Sequence, residues 1–217
     1  VFDIFPTTQL TIVPDTNTSA AFYISANLDG SRPGLFHAAV GGDGVSALSM
    51  ATTTYHEAIP GHHFQISIAL QSDLPAFRKD IATGGFIEGW ALYAERLAWE
   101  LGCYNGDPYG NIGRLQMEQL PAARLVTDTG IHAKGWTKEE AQAYLLNTTG
   151  GFMAEADRYI AQPAQATSYL VGMLKILELR QLAQESLGER FELAAFHRLI
   201  LSNGNLPLEV LEKIVKD

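Results

Sequence analysis

The residue pattern of the chain changes once, near residue 45, and that change limits the folds open to it. Upstream, short β-rich runs alternate with turn residues. Leu10-Thr11-Ile12-Val13, Ala21-Phe22-Tyr23-Ile24-Ser25 and Leu35-Phe36-His37-Ala38-Ala39-Val40 read as strands. Asp29-Gly30-Ser31-Arg32-Pro33-Gly34 is a dense turn signal between the last two, and Gly41-Gly42-Asp43-Gly44 ends the β part. Three strands cannot stand alone in water, so helices must cover one face of their sheet. The expectation is an α+β fold, predominantly α, with a small antiparallel sheet at the N-terminus packed on a helical body. One domain over residues 1–217 is expected, β-rich over 1–44 and helical over 45–217. No repeat or long linker divides it.

From Ser46 onward the signals are helical. One segment runs from about Ser46 to Gln71, interrupted by Pro60-Gly61, and another from Ile87 to Leu101, closed by Gly102. A third spans Tyr109 to Val126 with a kink expected at Pro121. Asp128-Thr129-Gly130-Ile131-His132 reads as a polar turn. Thr137-Lys138-Glu139-Glu140 is a capping box for a helix that ends at Gly150-Gly151. Helices over Phe152–Ala161, Ala166–Leu187, Glu189–Leu201 and Leu208–Lys216 follow, with Pro207 starting the last.

Composition removes several classes of function. The chain carries 15 Lys and Arg against 24 Asp and Glu, a net charge of −9, which argues against a nucleic-acid face. No run approaches the ~18 apolar residues of a membrane-spanning helix. Cys103 is the single cysteine, so a metal here would be held by histidines and carboxylates, and there are six histidines. Cys103, beside Gly102 and without a nearby base, reads as a small buried residue.

Three of those histidines fall within eight residues: His56-Glu57-Ala58-Ile59-Pro60-Gly61-His62-His63. A His-Glu pair followed by a further His lets two imidazoles share a metal while the Glu faces the reacting water. The usual spacing puts the second His at i+4, but Pro60 stands there. In a regular helix His62 would lie ~9 Å and His63 ~10.5 Å along the axis from His56, too far to share one ion. Pro60 cannot continue a regular helix, because its ring clashes with the carbonyl of residue 56. A bulge or widened turn at Ile59-Pro60-Gly61 would absorb the extra residues and bring His62 beside His56. His63 remains the competing ligand. The bland alternative is a solvated cluster at a broken helix. For a third ligand, Glu88 stands out within the apolar segment Gly84-Gly85-Phe86-Ile87-Glu88-Gly89-Trp90, although an acid near a helix start is also favourable by charge alone. Glu95, seven residues on, is placed to orient a ligating His, but its neighbour Arg96 favours a solvated position instead.

At these residues the chain resembles the bacterial "domain of unknown function 885" family. Leu28-Asp29-Gly30-Ser31-Arg32-Pro33-Gly34, His56-Glu57-Ala58-Ile59-Pro60-Gly61-His62-His63 and Glu88-Gly89-Trp90-Ala91-Leu92-Tyr93 carry the resemblance. It continues through Asp128-Thr129-Gly130-Ile131-His132, Gly135-Trp136-Thr137, Glu155 with Arg158-Tyr159, Pro163-Ala164-Gln165-Ala166-Thr167-Ser168-Tyr169 and Phe196-His197. Ala164 departs from the family's Pro-Gly-Gln. The resemblance implies a zincin-like fold of the gluzincin type. It implies Zn2+ held by His56, His62 and Glu88, with Glu57 as general base in a zinc metallopeptidase. Tyr169 first, and His132 second, would donate to the oxyanion. It also implies a longer parent, of which this chain, beginning at Val1, would be the C-terminal catalytic portion.

The function so implied is hydrolysis of peptide substrates by a metal-activated water. The alternative is a non-catalytic zincin-like binding module that has lost activity or uses the metal structurally. Two side chains and one strand have secondary readings. Arg158 can grip a carboxylate in bidentate fashion, yet Glu155 and Asp157 nearby favour a structural ion pair. The strand Leu35–Val40 is a candidate edge for pairing with an extended peptide, and His37 reads as an ordinary strand residue.

Overall fold

The computed structural model describes residues 1–18, 20–41, 46–80 and 83–217. Three strands, β1 (Leu10–Asp15), β2 (Phe22–Ile24) and β3 (Gly34–Ala39), precede the helices. These are α1 (Met50–Glu57), α2 (His62–Gln71), α3 (Ala76–Asp80), α4 (Gly84–Glu100), α5 (Pro108–Lys134), α6 (Lys138–Thr149), α7 (Glu155–Ala161), α8 (Ser168–Leu187), α9 (Leu193–Ser202) and α10 (Leu208–Lys216). The expected α+β class, predominantly helical with a small N-terminal sheet, is what forms. The change of character at Gly42-Asp43-Gly44 falls outside the described residues.

The sheet is mixed rather than antiparallel. Its order is β1-β3-β2, with β3 antiparallel to β2 and parallel to β1. The Asp29–Gly34 turn folds β3 back on β2, and β1 then takes the free side of β3. Strand β3 is therefore central, not the peptide-accepting edge that the sequence suggested. Pro14 lies in β1, where a missing N–H is tolerated because the strand is an edge. His37 on β3 is tied to Asp15 (Nδ1 to Oδ2, 3.0 Å) and stacks on Phe22.

Two hydrophobic cores organise the helices. The larger joins α2, α4, α8, α9 and α10 around Phe64, Trp90, Tyr93, Ile176, Ile200 and Leu211. Helices α4 and α8 cross with their backbones in contact. A side chain on Gly172 would collide with the carbonyl oxygen of Gly85, and one on Gly89 with the Gly172 backbone. The smaller core gathers Ala123, Ala141, Leu145, Ala156, Tyr159 and Ala166, from α5, α6, α7 and the α7–α8 loop.

Helix α5 runs unbroken through Pro121 and through the segment expected to be a polar turn. Burial of Leu120, Pro121 and Ala123 offsets the lost backbone bond, and the polar residues beyond find partners within the helix or just outside it. The Thr127 hydroxyl donates to the Ala123 carbonyl at 2.7 Å. The Asp128 carboxylate accepts from the Ala164 amide at 3.1 Å. Cys103, expected to be buried, is exposed, because the turn after α4 faces outward.

Candidate metal centre

The centre is built around a complete break in the helix at residues 58–61. Helix α1 ends at Glu57 and α2 begins at His62, so the chain restarts a helix rather than bulging within one. Gly61 is required there: a Cβ would collide with the carbonyl oxygens of His56 and Tyr55. The indole N–H of Trp90, on α4, donates to the Pro60 carbonyl at 2.8 Å and pins the break to α4. The Gln65 amide reinforces this from α2 by donating to the Phe86 carbonyl at 3.3 Å. At the far end of α1, Thr52 and Tyr104 hydroxyls meet at 2.7 Å.

This scaffold brings His56, His62 and Glu88 together. Glu88 Oε2 lies 3.6 Å from His56 Nε2 and 3.5 Å from His62 Nε2. The two imidazole rings meet edge to face with centroids 4.7 Å apart. Ligand atoms of all three residues fall within 4.8 Å of one another. The separations are long for hydrogen bonds. The two Glu88 separations match the ~3.3–3.6 Å edge of a tetrahedron whose ligands stand ~2.0–2.2 Å from a central ion. Glu88 Oε2 and His62 Nδ1 are also buried without a hydrogen-bond partner, and such groups are normally satisfied.

Two further carboxylates complete the centre. His56 Nδ1 donates to Glu95 Oε1 at 2.7 Å, which fixes the ring and aims Nε2 at the other ligands. Glu95 is only 3% exposed, so its expected place on a solvated stripe is corrected. Helix α4 is covered on nearly every side at this level, and adjacency to Arg96 says nothing about that. The useful signal was the seven-residue spacing from Glu88, which returns to the same helix face. Glu57 is also buried, with His56, His62 and Glu88 as its charged neighbours. His63 points the other way: its Nδ1 meets the Tyr23 hydroxyl at 3.1 Å and the Ser67 hydroxyl at 3.3 Å.

The electrostatics follow from crowding three carboxylates and two imidazoles away from water. Burial pushes the Glu57 carboxyl up, against the pull of His56 and His62. Burial likewise raises Glu95, although His56 opposes it. Burial would raise Glu88 too, but its contacts with His56 and His62 win and hold it well below the usual carboxylate range. Desolvation disfavours a charged His56, and the Glu88 and Glu95 carboxylates override it, so that ring is pushed well above an ordinary histidine. A divalent cation between His56, His62 and Glu88 would compensate the acids without protons. The donor set, two imidazoles and a carboxylate, suits zinc.

The remaining sequence candidates lie further out. Tyr169, in the first turn of α8, receives the Arg124 guanidinium over its ring at 4.9 Å. His132, near the end of α5, has its Nε2 against the Tyr159 carbonyl at 2.9 Å. Arg158 does pair with Glu155 at 2.7 Å, while Asp157 pairs with Lys138 instead at 2.6 Å.

An α+β chain, predominantly helical, with a His/Glu cluster between its helices defines the class, and comparison with known proteins supplies the family. The model for "Bacterial protein of unknown function (DUF885)" matches residues 8–215, and the chain belongs to that family. It is similar to a solved structure described as "putative lipoprotein from Colwellia psychrerythraea", with 41% identity and a TM-score of 0.94. That similarity covers 100% of this chain and 39% of the other. A second, a "putative lipoprotein of unknown function from Shewanella oneidensis", shares 25% identity with a TM-score of 0.84 over 100% of this chain and 42% of its own. The chain thus spans about two fifths of the solved chains it matches. No curated protein matches it. Among the described residues, no helix is long and apolar enough to cross a membrane.

Proposed function

We propose that this chain carries the catalytic centre of a zincin-like, zinc-dependent metallopeptidase. The observation that carries the reading is the convergence of His56, His62 and Glu88 at ion-sharing distances, with Glu95 orienting His56 and Glu57 buried alongside. His56, His62 and Glu88 would hold the ion. When bound, zinc supplies Lewis acidity, lowering the pKa of water and polarising a carbonyl.

The chain's own groups do the rest. Glu57, whose burial favours the protonated form, takes a proton from the attacking water and delivers it to the departing amine. The water oxygen bonds to the carbonyl carbon as the carbonyl electron pair moves to its oxygen; when that oxyanion collapses, the C–N bond breaks and the amine leaves with the proton. Glu95 keeps the His56 ring in one tautomer throughout. Tyr169 is the preferred oxyanion donor, since it sits one turn before the α4–α8 crossing beside Glu88. His132 is the weaker candidate because its Nε2 is already committed to a backbone carbonyl.

The test is Glu57→Gln. It is expected to retain zinc while peptide hydrolysis falls by about 10²–10⁴-fold. Hydrolysis at the wild-type rate by a zinc-loaded Glu57→Gln protein would remove Glu57 from the reaction.

A further inference from the structure

Helices α5 and α7 carry a second cluster, whose arginines hydrolysis itself does not use. Arg124 on α5 and Arg158 on α7 converge on one oxygen, Glu155 Oε2, at 3.2 and 2.7 Å. Arg124 also donates through Nε to the Tyr159 hydroxyl at 3.3 Å. Its guanidinium lies over the Tyr169 ring, while that of Arg158 lies 5.6 Å from the Tyr159 ring centroid. Both cations are held in place by aromatic faces.

The cluster is short of negative charge and of acceptors. Two guanidiniums share one carboxylate. Among the described residues neither pairs with a second one, since Asp157 is taken by Lys138. Arg158 Nη2 approaches Glu155 off the hydrogen-bonding line, and Nε and Nη2 are both buried without a hydrogen-bond partner. The Arg158 side chain is nevertheless 33% exposed, so a ligand can reach the guanidinium edge that lies outside those two buried atoms. One further carboxylate at that exposed edge would neutralise the cluster by a charge-assisted contact.

Its position relates it to the centre. Tyr169 precedes Gly172 by three residues on α8, and Gly172 meets Gly85 and Gly89 in the stretch of α4 that carries Glu88. Helix α5, which carries Arg124, also packs on α1, which carries His56. Tyr169, beneath Arg124, thus stands about one helical turn along α8, ~5 Å, from the crossing, a span that a few extended peptide residues cover.

We propose that Arg124 and Arg158 bind the free C-terminal carboxylate of a peptide, so that the enzyme releases a short piece from the C-terminal end of its substrates. This rests on the hydrolytic reading above, and the two are tested apart. Binding is read by titration calorimetry on the zinc-loaded Glu57→Gln protein, which needs no turnover. The probes are N-acetyl-tetraalanine as the free acid, the same peptide as the amide, and an amide in which Glu replaces the third alanine.

The free acid is expected to bind about tenfold or more tighter than either amide, the advantage of a charge-assisted contact. Adding Arg158→Gln to Glu57→Gln should erase that preference, and Arg158→Lys should restore only part of it. Equal binding of acid and amide, no binding of either, or equal binding of the Glu-containing amide overturns the proposal without any Arg158 variant. Cleavage of the acid by the wild-type protein reads the other claim. Acid preference without cleavage sinks hydrolysis alone, and cleavage without acid preference sinks the subsite alone.

Discussion

Helices α4 and α6 are held in place by opposite means. Helix α6 is stabilised by its own sequence: Thr137 and Glu140 cap each other, Glu139 and Glu140 sit in the first turn, and Gly150 closes it. It buries only Ala141 and Leu145. Helix α4 has no side-chain cap at Thr83 and is buried along most of its length, from Phe86 to Ala98. It nevertheless carries Glu88 and Glu95 toward the interior, an arrangement that costs several kcal/mol unless the charges are paired. The difference teaches where the molecule spends its stability. The outer helix follows local rules, while the inner one violates them at two positions, and both positions face His56.

The largest effect expected is that of zinc itself. With free zinc at 1,000 times its dissociation constant, stability should rise by about 4 kcal/mol, read as a rise in melting temperature that a chelator reverses. Glu88→Gln should lose most of that gain. A variant of α6 should keep all of it.

Next comes charge tolerance around α4. His197 on α9 is fully buried, and its Nε2 accepts from the Tyr93 hydroxyl at 2.7 Å. Its Nδ1 donates to the Val1 carbonyl. Burial holds its pKa down to about 4, against the usual 6.5. Between those values the unfolded chain binds the proton and the folded one does not. Stability therefore falls as pH drops from about 6.5 to 4, by about 3 kcal/mol from this residue. Denaturant titrations of wild type and His197→Phe across that range would check it, since the variant should lose this part of the slope.

A smaller effect is expected at the α4–α8 crossing. Gly172→Ala puts a methyl against the Gly85 carbonyl and should cost about 1–3 kcal/mol by chemical denaturation. The smallest is Thr137→Ala on α6, about 1 kcal/mol, with zinc binding unchanged. A larger loss at Thr137 than at Gly172 would invert the comparison.

Much of the centre was legible because its chemistry depends on residue type. A His-Glu pair followed by two further histidines, and an isolated acid in an apolar helix, point to His56, Glu88 and one of His62 and His63. What stayed open was direction. Consecutive residues on a helix point ~100° apart, so one of His62 and His63 had to turn away. Which one depends on where α2 restarts, and that is fixed from outside by Trp90 on Pro60. Glu95 was misjudged for the same reason, since burial of its helix face is set by neighbours distant in sequence. The sheet repeats the lesson: the three strands were recognised, but β1 pairs parallel with β3 across an intervening strand, a non-local choice. Helix α5 outran its expected end because packing overrode Pro121 and the Thr127–Gly130 segment.

On the proposed function, His56, His62 and Glu88 bind one zinc ion while His63 serves the sheet. Zinc content measured side by side on wild type, His62→Ala and His63→Ala tests it most directly. About one equivalent is expected in wild type and in His63→Ala, and loss of the metal in His62→Ala. Loss from His63→Ala with retention in His62→Ala, or a wild-type protein that takes up no zinc, would contradict it.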